Sequence, residues 1–202
     1  MKLYFAPGAC SLSPHIVLRE AGYEFSLEKV NLRTKQTASG QDYTAINPKG
    51  YVPALDLGNG EVLTEGPAII QYVADKAPQS QLAPPCGTLE RARVQEWLNF
   101  ISTELHKNFS LLFNPDMPDE AKETARANLI RRLPLPAKAL EKASHLTGEA
   151  FSVVDAYLFT VLAWAPKVKL DLSPWPSLIA FQQRVGARPS VRAALEAEGT
   201  KH

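Results

Sequence analysis

The chain has 202 residues, 45% of them apolar and 21% charged, a mix that fits one large domain or two small ones and excludes a largely disordered chain, a collagen-like repeat and a disulfide scaffold. Twenty-two Lys plus Arg against twenty-one Asp plus Glu leave a formal charge of +1, which gives no electrostatic case for nucleic acid or an anionic membrane as partner. The longest apolar stretch, residues 153–166, carries Asp155 and is shorter than the ~20 residues a membrane span needs, and the N-terminus lacks the basic start and long apolar run of a signal peptide; a cytoplasmic protein is expected.

Residues 2–5 read as a strand, and after a Pro-Gly turn Pro14, Val17, Leu18 and Ala21 follow the i, i+3, i+4, i+7 pattern of a helix ending at Gly22. Residues 25–30 read as a second strand, which closes a βαβ unit. The polar stretch 33–42 reads as a loop and short helix. Residues 52–57 and 61–64 flank Gly58-Asn59-Gly60, a strong hairpin signal because Gly and Asn accept the positive φ of tight turns. Pro67 suits the first turn of a helix whose apolar face is Ile69, Ile70, Val73 and Ala77.

Residues 79–87, rich in Pro, Gln and small side chains, form a linker. The expected domains are therefore 1–78, α/β, and 88–202, all-helical. Beyond the linker, Val94, Leu98, Ile101, Leu105 and Leu112 predict one long amphipathic helix from about Thr88, and residues 153–164 a buried one. Ser152 and Asp155 form a Ser-x-x-Asp variant of the capping box, with Phe151 as a staple residue, a folding signal. Pro134 and Pro136 interrupt what otherwise reads as one helix over 121–143; a break is expected there, with Leu133 and Leu135 pushed toward extended geometry.

Two cysteines, Cys10 and Cys86, stand far apart with no Cys-x-x-Cys and no nearby His pair, which argues against a disulfide and against structural zinc; no metal is expected. Cys10 falls between the first strand and the first helix, where backbone amides and the positive end of the helix dipole favour a thiolate. Taken alone, it reads equally well as a small buried turn residue. Val52-Pro53 opens a strand, and a cis peptide there would leave the Val52 backbone open to an extended peptide ligand; an ordinary trans proline is the alternative. Glu65-Gly66-Pro67 puts a carboxylate and bare amides at a helix start, suited to holding an ammonium and a carboxylate together, or to capping alone.

Taken together, the order βαβ, connector, ββα, helices, with the strings Pro-Gly-Ala-Cys-Ser-Leu-Ser-Pro-His-Ile (7–16), Asn-Pro-Lys-Gly-Tyr-Val-Pro-Ala-Leu (47–55), Leu-Thr-Glu-Gly-Pro-Ala-Ile (63–69), Glu-Trp-Leu-Asn-Phe-Ile (96–101), Glu-Leu-His-Lys (104–107) and Phe-Ser-Val-Val-Asp-Ala-Tyr-Leu-Phe (151–159), resembles the cytosolic glutathione S-transferases, in particular the bacterial beta class. The resemblance covers essentially the whole chain. It implies a thioredoxin-like, glutathione-binding domain followed by a helical domain lining a hydrophobic substrate site. Cys10 matches the class cysteine facing the glutathione sulfur, with Ser11 as its helper in catalysis. Lys35 matches a lysine near the glycyl carboxylate, Val52 and Pro53 the backbone pairing site, and Glu65 and Gly66 the γ-glutamyl site. Asn99 and Glu104 match residues that reach the neighbouring subunit's glutathione, which implies a homodimer; His106 and Lys107 match a pair near the cysteine, His106 with a catalytic part.

Glutathione carries two carboxylates, an ammonium and a thiol, and Lys35, Glu65 and the Cys10 region supply a complement to each. Two positions depart from the family: Phe5 lacks the hydroxyl of the tyrosine common there, and Gly66 replaces a serine. The implied activity is conjugation of the glutathione thiolate to electrophilic hydrophobic compounds such as halogenated aromatics, in detoxification. A glutathione-dependent thiol-disulfide oxidoreductase or reductive dehalogenase using Cys10, and a non-catalytic binder of apolar ligands, are the alternatives.

Overall fold

The computed structural model describes residues 1–200 and divides into two compact units. The first contains β1 (Lys2–Phe5), α1 (Leu12–Glu20), β2 (Ser26–Asn31), β3 (Gln36–Thr37), α2 (Tyr43–Ile46), β4 (Ala54–Asp56), β5 (Val62–Thr64) and α3 (Gly66–Lys76). Its five strands run in the order β3-β2-β1-β4-β5. β1 pairs in parallel with β2, Lys2 opposite Ser26, and antiparallel with β4, Lys2 opposite Asp56. The parallel step is the crossover through α1 that the βαβ order requires.

Side chains alternate across β1. Phe5 lies toward α1, its ring 6.4 Å from His15, while Tyr4 turns to the opposite face, 5.6 Å from the ring of Tyr43 on α2. Around that second face, Tyr4, Ala6, Val30, Tyr43, Val52 and Ala54 form a buried cluster. The hairpin β4–β5 turns at Gly58-Asn59-Gly60, with φ +82° and +90° at the two glycines. β3 is absent from the sequence reading, where 33–42 is polar loop and short helix; a two-residue strand leaves no periodicity to detect.

The second unit, Pro84–Ala187, holds α4 (Leu89–Phe100), a π-helical segment Ile101–His106, α5 (Lys107–Phe113), α6 (Asp119–Arg132), α7 (Pro134–Leu140), α8 (Val153–Leu162) and α9 (Pro176–Gly186). The expected long helix is thus α4 and α5 joined by a π turn, whose i→i+5 spacing inserts a residue into the register. All ten residues of α8 are buried. Its start is fixed by Asp155, whose Oδ2 accepts from the Ser152 amide at 2.8 Å and the Ser152 hydroxyl at 2.9 Å, while Oδ1 accepts from the Leu146 amide at 2.9 Å.

The prolines act differently from the expectation. The helix does break at Leu133, but Leu133 stays α-helical at φ −58°, ψ −30°, and Pro134 to Pro136 lie inside α7. The two prolines occupy the first turn of α7, where amides have no intrahelical acceptor, so their missing donors leave no hydrogen bond unmade.

The last helix, α10 (Pro189–Glu198), belongs with the first unit, which takes in the chain from Arg188 on. This departs from the expected 88–202 domain. The cause is a set of polar contacts to α1 and the turn before it. Arg188 forks onto Glu20, with Nε to Oε1 at 2.6 Å and Nη2 to Oε2 at 2.8 Å, and the Ser190 hydroxyl joins the same carboxylate. Glu198 accepts from the Gly8 amide at 2.9 Å and from His15 Nδ1 at 2.9 Å. Arg19 Nε donates to His15 Nε2 at 3.0 Å, so the ring proton is on Nδ1 and points at Glu198. His15 and Glu198 side chains are fully buried. Glu198→Gln keeps the shape, but its NH2 must face one of the two N–H donors that the carboxylate oxygens accept from, so one bond is lost and the other becomes neutral; a loss of about 2–3 kcal/mol in urea unfolding is expected, and an unchanged midpoint would contradict it.

Candidate functional site

In the first unit the chemistry-bearing residues gather on one short irregular segment, residues 50–52, which begins with Gly50 at φ +68°. Lys35 Nζ donates to the Gly50 carbonyl at 2.7 Å, the Tyr51 hydroxyl donates to Glu65 Oε1 at 2.9 Å, and the Cys10 thiol donates to the Val52 carbonyl at 3.2 Å. A cation, a carboxylate and a sulfur are thus fastened to three successive residues. The segment is itself held from behind, because the Tyr51 carbonyl accepts from the Tyr43 hydroxyl at 3.1 Å and from Asn47 Nδ2 at 2.7 Å. Burial pushes the Tyr43 phenol up to about 12, so it remains a donor.

Cys10 sits two residues before the first turn of α1, on a run of tight turns in which the Ala9 amide donates to Ala6 and the Leu12 amide to Ala9, both at 3.0 Å. Its thiol does not ionise as the helix-start argument expects. Burial pushes it up to about 12, the backbone amides of Cys10 and Ser11 pull the other way, and the Glu65 carboxylate adds to the rise. Desolvation is the largest of these effects and outweighs the amides, and the bond to the Val52 carbonyl uses the protonated thiol as donor. Ser11, expected as a helper in catalysis, is engaged by the turn itself. It is fully buried, and its hydroxyl both accepts from the Ala6 amide and donates to the Ala6 carbonyl, each at 3.2 Å, so it pins the turn.

Glu65 precedes α3 with φ +71°, ψ 112°, a left-handed-side conformation costly for a residue with a side chain. Its carboxylate takes the Tyr51 hydroxyl and, at 2.5 Å, Lys49 Nζ. That bond raises the Lys49 ammonium above its usual range. Lys49 also reaches the Thr64 hydroxyl at 3.0 Å. The Val52-Pro53 peptide is cis. At Gly66 an added Cβ would stand 3.8 Å from Pro53 Cγ and 3.9 Å from Ser13 Oγ, ordinary contacts, so packing does not demand glycine where the family has serine. Phe5, the other departure, is buried.

Asn99, Glu104, His106 and Lys107 belong to the second unit. Asn99 and Lys107 are exposed. Glu104 Oε2 is ion-paired with Arg132 Nε at 2.5 Å, an engagement within its own unit that the expected reach to a neighbouring subunit did not include. Of the polar stripe read from Asn99, Thr103, His106 and Ser110, the Thr103 and Ser110 hydroxyls bond back to the carbonyls of Asn99 and His106, both at 3.0 Å. His106 Nδ1 lies 2.6 Å from the Tyr157 hydroxyl, and its ring meets Trp164 edge-on at 4.9 Å.

Lys49, Tyr51, Tyr157 and Arg132 escaped the sequence reading. Lys49 and Tyr51 lie two apart in the Asn-Pro-Lys-Gly-Tyr-Val-Pro string, and they meet at Glu65 across Gly50 at φ +68°, a turn that strand alternation does not foretell. A single tyrosine in the apolar run 153–162 was a usable signal. The pairing of Arg132 with Glu104 spans two helices and leaves no local trace. Among the described residues no group of three or more His, Cys, Asp or Glu could hold a metal, and no helix is long and apolar enough to cross a membrane.

A thioredoxin-like sheet with a cysteine before its first helix and an acid before its last, followed by a helical unit, defines a glutathione transferase. Residues 8–76 match the family described as glutathione S-transferase, N-terminal domain, and residues 100–189 match the C-terminal domain; the chain belongs to this family. It is 51% identical to glutathione S-transferase GstA of Escherichia coli O157:H7 over all of both chains. Among solved structures it superposes on a sphingomonad glutathione S-transferase complexed with glutathione at TM-score 0.95 and 46% identity, covering all of both chains. The bacterial beta-class glutathione S-transferase of Sphingomonas chungbukensis superposes at TM-score 0.96 and 48% identity, again over all of both chains. The enzyme is a transferase of the bacterial beta class.

Proposed function

We propose that the first unit binds glutathione along residues 50–52, with the ammonium at Glu65, the glycyl carboxylate at Lys35, the peptide paired to Val52 beside Pro53 and Gly66, and the thiol beside Cys10. The reading is carried by the attachment of Lys35, Glu65 and Cys10 to three successive residues of one segment, a complement to a small peptide with charges at both ends. The sphingomonad relative, solved with glutathione, supports it.

The reaction is attack of the glutathione thiolate on an electrophilic carbon of a hydrophobic compound such as a halogenated aromatic: a carbon–sulfur bond forms and halide departs with the bonding pair. Cys10, kept protonated, supplies a thiol hydrogen to the glutathione sulfur, because two thiolates in one pocket repel. Conjugation is therefore favoured over an exchange reaction in which Cys10 attacks. His106 takes a catalytic part and Lys107 and Asn99 contribute cationic and amide groups. The protein acts in detoxification in the cytoplasm, as a twofold dimer in which Asn99 serves the neighbouring subunit and Glu104 does so only when parted from Arg132.

Glu65→Gln removes the charge that holds the ammonium. The Michaelis constant for glutathione, measured with a chlorinated nitroaromatic, should rise about tenfold, the scale of one charge-assisted bond, with kcat changed less. An unchanged constant would remove Glu65 from the binding site.

A further inference from the structure

We infer that Lys49 and Glu65 together dock an α-amino acid head, Lys49 taking the α-carboxylate and Glu65 the α-ammonium of a γ-glutamyl thiol. Lys49 thereby becomes a specificity-determining residue of the site proposed above, and its part rests on that reading. Lys49 Nζ stands 2.5 Å from Glu65 Oε1, and the two side chains keep 44% and 53% of their surface in contact with solvent. An ion pair with both poles at the surface accepts a second pair of charges laid against it in the opposite order.

A γ-glutamyl head is such a pair, because its ammonium and carboxylate branch from one carbon. With the ammonium on Glu65, the carboxylate has to lie close by, and the Lys49 cation is already bonded to the Glu65 carboxylate. Around the ring of four charges each ammonium then neighbours a carboxylate, and like charges stand diagonally. A simple amine fares worse. On Glu65 it would set a second cation beside Lys49 with nothing to offset the repulsion. Lys49 therefore selects for a zwitterion, favouring one ligand and opposing another.

The pair is held where a ligand needs it. Lys49 Nζ also donates to the Thr64 hydroxyl at 3.0 Å, and the Tyr51 hydroxyl donates to Glu65 Oε1 at 2.9 Å. The bond to Glu65 raises the Lys49 ammonium above its usual range, so the cation persists at neutral pH. Tyr51 belongs to the segment 50–52 to which Lys35 and Cys10 are also bonded, which puts the dock on the same support as the rest of the site. Gly66, the first residue of α3, brings no side chain to an anion here, and Lys49 supplies the charge that it lacks.

Titration calorimetry with the S-methyl forms of three peptides reads the two charges separately: glutathione, its γ-aminobutyryl analogue without the α-carboxylate, and its glutaryl analogue without the ammonium. Lys49→Met keeps the length of the side chain and removes the charge. It should weaken glutathione about fivefold, the scale of an exposed charge pair, weaken the glutaryl analogue by a similar factor, and leave the γ-aminobutyryl analogue unchanged or tighter. The preference for glutathione over the γ-aminobutyryl analogue should thus fall by about fivefold or more. A preference within about twofold of wild type, as an equal loss for all three peptides would give, would overturn the part given to Lys49. Failure of the underlying reading shows elsewhere: Glu65→Gln would then bind glutathione as the wild type does, whatever Lys49→Met does. In that case the head does not lie on Glu65, and the dock falls with it.

Discussion

At pH 7, iodoacetamide should label Cys86 and leave Cys10 almost untouched. A thiol near 12 is ionised to about one part in 10⁵ at that pH, against about 3% for an ordinary cysteine near 8.5. The thiolate is the nucleophile, so Cys10 should alkylate about three-thousandfold more slowly than a cysteine peptide, while Cys86 is exposed to reagent. The Cys10 rate should climb about tenfold per pH unit up to pH 10 without a plateau. Because the folded value lies above the unfolded one, the shift favours folding at neutral pH, and this share of stability fades as pH rises from about 9 toward 12. Peptide mapping after timed alkylation reads both cysteines at once. Equal labelling of Cys10 and Cys86 at pH 7 would restore the thiolate that the helix-start argument alone suggests.

Asp155→Ala should destabilise the protein by about 4 kcal/mol. The carboxylate receives three hydrogen bonds, two of them from the backbone amides of Leu146 and Ser152, and it is fully buried. Each buried donor stripped of its acceptor costs about 1–3 kcal/mol, a large share of the roughly 5–15 kcal/mol of a typical fold. For a chain of this length the thermal midpoint should fall by about 10 °C. Asp155→Asn, which keeps one carbonyl acceptor, should fall about half as far. A midpoint within 3 °C of wild type for the alanine variant would mean that water or a neighbour takes over the freed amides.

The elements that sequence made legible are those written in local code. Gly58-Asn59-Gly60, Pro67 and the Ser152–Asp155 pair each state a turn or helix start within four residues, and the structure follows them. β3, the π turn and the return of α10 to the first unit have no such code, because a two-residue strand, a one-residue register change and a contact over more than 180 residues leave no period. The site divides along the same line. Cys10, Lys35 and Glu65 are readable as groups, but the ionisation of Cys10 is set first by burial and then by Glu65, neither of which is written near it in sequence. The helix-start argument counted only its neighbours. Pro134 and Pro136 show the converse: the local rule was sound and the position within the helix decided its sign.

The bond from Glu198 to the Gly8 amide and to His15 has a consequence for the order of events during synthesis. The turn that bears Cys10 leaves the ribosome long before Glu198, the carboxylate that fastens it, which lies 190 residues beyond Gly8. Roughly 180 residues must be made before the first unit can close, and loop closure over such a length is slow compared with local helix formation. The second unit, contiguous from Pro84 to Ala187, has no such wait and can fold before Glu198 is made. A chain stopped short of Glu198 would therefore lose the fastening of a turn made some 190 residues earlier.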